Sequence, residues 1–447
     1  MSDPHIPQPP AIMEHAGSRR YRFWAVYAAA FTRTLSYSIY GVALPNYLIY
    51  FLHVPPELLG VIISVYATAY IAGPLVALPI TRRIGARNGT MLSVAGSILL
   101  VGCQLIFLDP VILVVLRGID GFLLGFFWPN LQMEVSSWQR AIPEKGDGQF
   151  FQAYGMSWNT GIILGNIGGM FIVVLGAGNE YLALVIAWLA MMAMIPCCLA
   201  MERPGTSITL RGGTYLAVTA TRVVTTRVGR AMKAQTTIPT APVHPLSPAT
   251  RYLLSFPAAF YFASTLVYAY IKAFYPIIYP LALNEAGIPS FIVYLVTFIH
   301  QAVQAIVIAI WTRRSVQLNH RTWIIAMAAN IAFFAWLWGS PEPMLLSVAF
   351  AVNGVLSGWL YTFTSKIMLE YGAVRNSLKY ATYYEFFNGI GFGMAPLIAG
   401  AAASFGPAVN FAIMTLLVSG SSVVLFITSA RAASRRNADP RESLNAP

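Results

Sequence analysis

Apolar positions run through this chain in long blocks of about twenty residues or more, separated by short polar segments. A hydrocarbon core about 30 Å thick takes roughly 20 residues of helix to cross. Twelve blocks fit that length. They fall near 23–51, 57–80, 88–108, 110–137, 148–176 and 180–201, then near 252–283, 288–312, 322–339, 343–368, 379–405 and 407–430. The pattern predicts an all-α polytopic membrane protein with twelve transmembrane helices. The first twenty-two residues are polar and proline-rich, with no short apolar core and no small-residue cleavage site, so a removed signal peptide is not expected.

Composition supports that reading. Of 447 residues, 57% are hydrophobic and only 10% charged, against roughly 25% charged in a soluble domain. So few charges cannot cover a water-facing surface. Cys103, Cys197 and Cys198 all lie in apolar stretches, so neither a disulfide framework nor a Cys/His zinc cluster can be drawn. No phosphate-binding glycine loop, ATP motif or paired-histidine site stands out, so no catalytic residue, metal or cofactor is expected and the chain does not read as an enzyme.

Charge sets the orientation. Basic residues crowd Arg19 to Arg22, Arg82 to Arg87, Arg140 and Lys145, the stretch from Arg203 to Arg251, Arg313 to Arg321, Arg375 and Lys379, and the tail from Arg431 to Arg441. All of these fall on one side of a twelve-span arrangement. The opposite loops carry Glu57, Asp109, Glu180, Glu285 and Glu342, with no Lys or Arg. The positive-inside rule then makes both termini and the central loop cytoplasmic, in a multi-pass protein of the cell membrane. The net charge of +12 follows this topology and implies no nucleic-acid partner; attraction to anionic inner-leaflet lipid follows from the same charges.

The stretch 203–250 is rich in Thr, Arg, Pro and Gly and reads as a cytoplasmic linker, with a short amphipathic helix near Thr214–Lys233. It separates a half at 23–202 from a half at 251–430, with tails at 1–22 and 431–447. The halves echo each other at a spacing of about 230 residues. Thr81-Arg82-Arg83 matches Thr312-Arg313-Arg314, Gly121-x-x-x-Gly125 with Trp128 matches Gly354-x-x-x-Gly358 with Tyr361, and Tyr154, Trp158 and Asn159 match Tyr383, Phe387 and Asn388.

Parallel six-span repeats are the symmetry of major-facilitator transporters. The chain resembles the major facilitator superfamily over nearly its whole length. Arg117-x-x-Asp120-Gly121-x-x-x-Gly125 is similar to that family's Arg-x-x-x-Gly motif, and Phe127-Trp128-Pro129-Asn130 extends it. Gly161-x-x-x-Gly165-Asn166-x-Gly168-Gly169 resembles its glycine-rich packing motif, with an echo in Gly391-x-x-x-Ala395-Pro396-x-x-Ala399-Gly400. The loop after span two departs from the pattern. Leu78-x-x-x-Arg82-Arg83-Ile84-Gly85-Ala86-Arg87 lacks the acidic residue that latches the cytoplasmic gate in the family. The resemblance implies two pseudo-symmetric six-helix halves, a monomer and a central cavity lined by spans 1, 4, 7 and 10.

Ionisable groups inside a bilayer are functional candidates by default. Arg33, Tyr37, Tyr40, Leu44 and Tyr47 recur at spacings of 4, 3, 4 and 3, on one helical face. Tyr261, Thr265, Tyr268, Lys272, Tyr275 and Tyr279 do the same in span seven. With the cavity implied by the resemblance, Arg33, Tyr37, Tyr40, Trp128, Tyr268, Lys272, Tyr275 and Tyr361 become substrate-binding candidates. The alternative is that the cations pair with buried carboxylates and the tyrosines only pack.

Arg117 and Asp120 share a helix face and can pair. The resemblance associates the arginine position with proton coupling, which makes Arg117 and Asp120 coupling candidates; Glu385, with no obvious local partner in span eleven, and His300, which can titrate near neutral pH, are two more. The alternatives are a static Arg117–Asp120 ion pair, pairing of Glu385 with Lys366 at the cytoplasmic gate and, for His300, a bond to a neighbouring helix. Arg82, Arg83, Glu134 and Lys366, near the inner face, read as gate contacts. Pro45, Pro276 and Pro280 are expected to break their helices and permit flexing.

The expected function is a secondary active transporter working by alternating access. Its partners are the lipid bilayer, a small organic solute and protons, with the cations favouring an anion such as a carboxylate. Rival readings are a multidrug/proton antiporter, a lipid flippase and a non-transporting sensor.

Overall fold

The computed structural model describes residues 22–141, 149–201, 209–210, 213–214, 258–313, 320–339, 342–371 and 377–438. The first span is the helix Phe23–Asn46, continued by a π-helical turn at Tyr47–Phe51. The second and third are Pro56–Ile84 and Ala86–Ile106. The fourth is split into Pro110–Leu124 and Trp128–Ala141. The fifth is Gln149–Leu175, and the sixth joins Glu180–Met192 to Met194–Ala200. Spans seven to twelve are Ala258–Glu285, Phe291–Arg313, His320–Gly339, Pro343–Tyr371, Ser377–Ala403 and Pro407–Ala438.

Ten of these twelve are long and apolar enough to cross a membrane by length and composition alone. The ninth is shorter in its apolar part, Trp323–Gly339. The first carries Arg33 and a run of hydroxyl side chains. Large apolar side chains such as Leu99, Val111, Leu175 and Leu416 point outward, as a lipid-facing surface requires. The protein is a multi-pass membrane protein whose described helices form twelve spans.

Helix contacts repeat between the halves. The first span packs on the fifth as the seventh does on the eleventh, and the second on the fourth as the eighth does on the tenth. The halves meet along two seams, span two against eleven and span five against eight. Small residues set these approaches, as expected where lipid removes the hydrophobic drive between helices. A Cβ on Gly121 or Gly125 would collide with the backbone of span two at Tyr66 and Gly73. Gly354 and Gly358 lie in the same way against the carbonyls of His300 and Gln304, at 2.6 and 2.9 Å from a built Cβ. Gly161 and Gly165 admit the backbone of the first span, and Gly60 and Gly400 touch across the seam of spans two and eleven.

Several expectations are corrected. Span seven stays helical through Pro276 and Pro280, because neighbours can re-satisfy the backbone groups that proline frees. Only the first span changes character after its proline, Pro45, where the π-helical turn follows. Thr214, placed by sequence at the start of an amphipathic helix, lies in a small hairpin pairing Thr209–Leu210 with Gly213–Thr214. The rest of that helix, the linker over 203–250 apart from this hairpin, and most of the two tails lie outside the described residues. Glu57, Asp109, Glu285 and Glu342 are exposed on one face, hereafter the acidic face. Glu180 is not a free loop acid: it opens the sixth span and is fully buried.

Gly121→Leu is expected to lower stability by about 1–3 kcal/mol, the usual cost of overpacking. Gly155→Ala, where a Cβ meets nothing within 4 Å, is expected to be neutral or stabilising. Thermal denaturation of the detergent-purified variants checks both.

Candidate functional site

A cavity of about 410 Å³ lies between the halves, lined from both. The first span contributes Arg33, Tyr37 and Tyr40, the fourth Arg117 and Trp128, and the seventh Tyr268, Lys272 and Tyr275. His300, Tyr361 and Glu385 reach it from spans eight, ten and eleven. All eight substrate-binding candidates therefore border one space. The 4, 3, 4, 3 spacing brings this about, because it keeps the polar side chains of spans one and seven on single helix faces.

Tyr66 of the second span, which sequence reasoning did not single out, organises the cations of the first half. Its hydroxyl accepts a bond from Arg33 Nη2 at 2.9 Å. Its ring carries the Arg117 guanidinium at 4.1 Å and stacks on Tyr37 at 5.5 Å. Arg33 also lies over Tyr37, and Arg117 over Tyr40, at 5.4 and 5.6 Å. Arg33 Nη1 and Arg117 Nε and Nη1 are buried with no hydrogen-bond partner. The same i, i+4 test, applied to Tyr66 and Tyr70, would have found this face.

Lys272 meets Gln304 Oε1 at 3.3 Å and Tyr268 Oη at 3.4 Å, with the Trp158 ring 5.7 Å away. Trp158 packs edge-on against Tyr361, so rings of the two halves touch beside this amine. Tyr275 is turned to span ten, its hydroxyl accepting from Asn353 Nδ2 at 2.9 Å. No ion pair joins Arg33, Arg117 or Lys272 to a carboxylate among the described residues; rings, a hydroxyl and an amide surround them instead.

The coupling candidates separate. Asp120 does not border the cavity; its carboxylate accepts from Ser97 of span three at 2.7 Å, and its charge acts on the buried Arg117 and Arg33 without an ion-pair contact. His300 holds Phe350 O at 2.9 Å through Nδ1. A carbonyl only accepts, so Nδ1 carries the hydrogen and the ring ties span eight to span ten. Glu385 borders the cavity and crosses the seam. One oxygen accepts from Tyr70 Oη at 2.8 Å and the other from Gln132 Nε2, both in the first half.

Among the gate candidates, Arg82 and Arg83 are exposed at the end of span two and Glu134 is half-buried; none borders the cavity. The Lys366 side chain lies outside the described ones. Asn166 of the glycine-rich stretch is buried at the cavity wall with both amide atoms unpartnered. Among the described residues no group of three His, Cys, Asp or Glu is placed to hold a metal.

Comparison with solved structures finds the same architecture at low identity. The chain is similar to the nucleoside transporter NupG, at 14% identity and TM-score 0.59, covering 92% of this chain and 98% of that one. It is similar to a POT family transporter in complex with 5-aminolevulinic acid, at 12% identity and TM-score 0.62, covering 92% and 96%. It is also similar to the human organic anion transporter MFSD10, at 13% identity and TM-score 0.55, covering 90% and 98%. No curated protein matches the chain. The family model described as Major Facilitator Superfamily matches residues 26–271. More than half of the chain thus carries the family's sequence pattern on the family's two-half fold, and the protein belongs to the Major Facilitator Superfamily.

Proposed function

We propose that this transporter moves a small organic anion across the cytoplasmic membrane by alternating access, coupled to protons, with both termini in the cytoplasm. The observation that carries the substrate class is the charge balance of the cavity. Arg33 and Arg117 from one half and Lys272 from the other border it with no ion-paired carboxylate among the described residues, and Asp120, held by Ser97, sets a single negative charge near the two arginines. Buried charges are normally paired because desolvation is costly. An anionic solute entering between the halves supplies that pairing and is touched by both of them. The cavity volume of about 410 Å³ suits a small organic molecule.

In this reading the unpartnered Arg33 Nη1 and Arg117 Nη1 donate to a carboxylate, Lys272 holds the solute from the opposite side, and Trp128 and Tyr361 stack on its apolar part. Glu385 is the proton carrier. It is bonded by neutral groups across the seam of spans two and eleven, so its charge state acts directly on a contact between the halves. The rings around the cavity and the Glu385 carboxylate support one rival reading, export of lipophilic cations.

Thermal stability of the purified protein against organic anions and lipophilic cations separates the two, because a ligand stabilises the state it binds. Anions are expected to stabilise it. Lys272→Ala is expected to weaken that binding roughly 10- to 100-fold, from the loss of a charged hydrogen bond. Stabilisation by cations alone would overturn the anion reading. Glu385→Gln is expected to leave anion binding largely intact while removing the response of transport to a pH gradient in proteoliposomes. A mutant that still concentrates solute under such a gradient would remove Glu385 from the coupling step.

A further inference from the structure

The two halves are joined at a second carboxylate, Glu180, far in sequence from the groups discussed so far. Of the five acids that fall between spans on the acidic face, it alone is buried, at 0% exposure. It sits in the first turn of the sixth span, directly after Asn179, whose side chain caps that helix by accepting from Leu182 N at 3.1 Å. Its Oε1 accepts from Asn46 Nδ2 of the first span at 3.2 Å. Its Oε2 accepts from the hydroxyl of Tyr294 at 2.7 Å, and Tyr294 belongs to span eight, in the other half. The same Asn46 amide reaches Ser290 O at 3.3 Å, and Tyr50 Oη reaches Ile288 O at 3.0 Å. These three bonds between the halves, together with one from the Ser290 side chain to Glu180, converge at one end of the seam of spans five and eight.

Tyr294 is seated as a peg. It is fully buried, and a Cβ on Gly169 would stand 2.5 Å from its ring, so the last glycine of the span-five motif is the floor of its slot. Gly161 and Gly165 of that motif face the first span, whereas Gly169 faces span eight. The motif therefore serves packing within a half and docking between halves. Withdrawing span eight from span five at this end exposes Glu180 to water; docking it seals the carboxyl away.

Among the described residues nothing with positive charge compensates that burial. The titratable groups facing Glu180 are the phenols of Tyr294 from span eight and Tyr50 from span one, with Tyr279 of span seven next to Tyr50. The neighbouring phenol Tyr181 is turned to the Leu105 carbonyl of span three, and span five brings Gly169 against Tyr294. Glu57, Asp109, Glu285 and Glu342 lie on the same face but in water. Asn46 Oδ1, on the amide that bonds Glu180, is buried with no donor. A carboxylate offers it nothing, whereas a carboxylic acid carries the hydrogen it lacks. An ionised group is costly to seal in a dry seam without a cation, and its neutral form much less so.

We propose that Glu180 is a proton-binding residue of the transport cycle. A proton taken from water on the acidic face neutralises the carboxylate and lets Tyr294 dock on Gly169, closing that face. Loss of the proton restores the charge and favours the undocked seam. This rests on the alternating-access reading above but not on the class of solute carried, since the seam closes without reference to the cavity's cations.

The test is a distance measurement between spin labels at Phe107→Cys and Phe405→Cys, exposed positions on the acidic face in opposite halves. The background carries Cys103→Ser, Cys197→Ser and Cys198→Ser. No solute is added, so an incorrect anion assignment leaves the result unaffected. Acidification of the otherwise unaltered protein is expected to raise the short-distance population at least about 2-fold. Glu180→Gln is expected to hold that population high at every pH. Tyr294→Phe keeps the ring on Gly169 but removes a donor to the carboxylate, and is expected to lower the short-distance population mainly at alkaline pH. A pH response that is absent or reversed, or that persists in Glu180→Gln, overturns the proposal. Should Glu180→Gln fail to fold, a Tyr294→Phe protein indistinguishable from its parent overturns it as well.

Discussion

Burying cations that rest on rings and neutral acceptors, with no carboxylate in ion-pair contact among the described residues, constrains everything else in this molecule. Arg33, Arg117 and Lys272 cannot be left bare in a medium of low dielectric, and no carboxylate pairs with any of them among the described residues. The protein offers the negative faces of aromatic rings and single neutral acceptors, which stabilise a cation while leaving much of its field intact. Tyr66 serves two arginines at once, through its ring and its hydroxyl. A carboxylate partner would have stabilised the cations more strongly and extinguished their attraction for a solute.

That arrangement depends on close helix packing. Tyr66 is carried on span two, and the arginine it supports is carried on span four. The two helices approach to backbone contact at Gly121 and Gly125. With side chains there, the guanidinium of Arg117 would not rest 4.1 Å above the Tyr66 ring. The equivalent approach of spans eight and ten, at Gly354 and Gly358, brings His300 to Phe350 and fixes the wall behind Lys272. Small residues therefore act on the site without touching it.

The seams between the halves follow a matching logic. Each is crossed by a carboxylate bonded to a tyrosine of the other half: Glu385 to Tyr70 between spans eleven and two, and Glu180 to Tyr294 between six and eight. Hydrogen bonds from neutral donors are directional, and their strength depends on the charge of the acceptor. A contact of that kind can hold two bodies together and still respond to a single proton. An ion pair sealed between the halves would be harder to part, because separation leaves two bare charges.

Much of this was legible in the chain. Twelve spans could be read because each must satisfy its own backbone in lipid, which forces a length and an apolarity that the residues display. The repeated glycines and the stripes of Arg33 and Lys272 were visible because helical periodicity is local. Other features were not visible. Asp120 stands three residues from Arg117, yet its carboxylate bonds Ser97 of another helix. Glu180 resembled four loop acids, but only it is covered by span eight. Tyr66 gained its role from two cations on different spans. Spacing along one helix decides which side chains share a face, and that is all it decides. Which helix arrives opposite that face, and so whether a charge meets a ring, a hydroxyl or water, depends on contacts between residues distant in sequence, and only the folded bundle determines them.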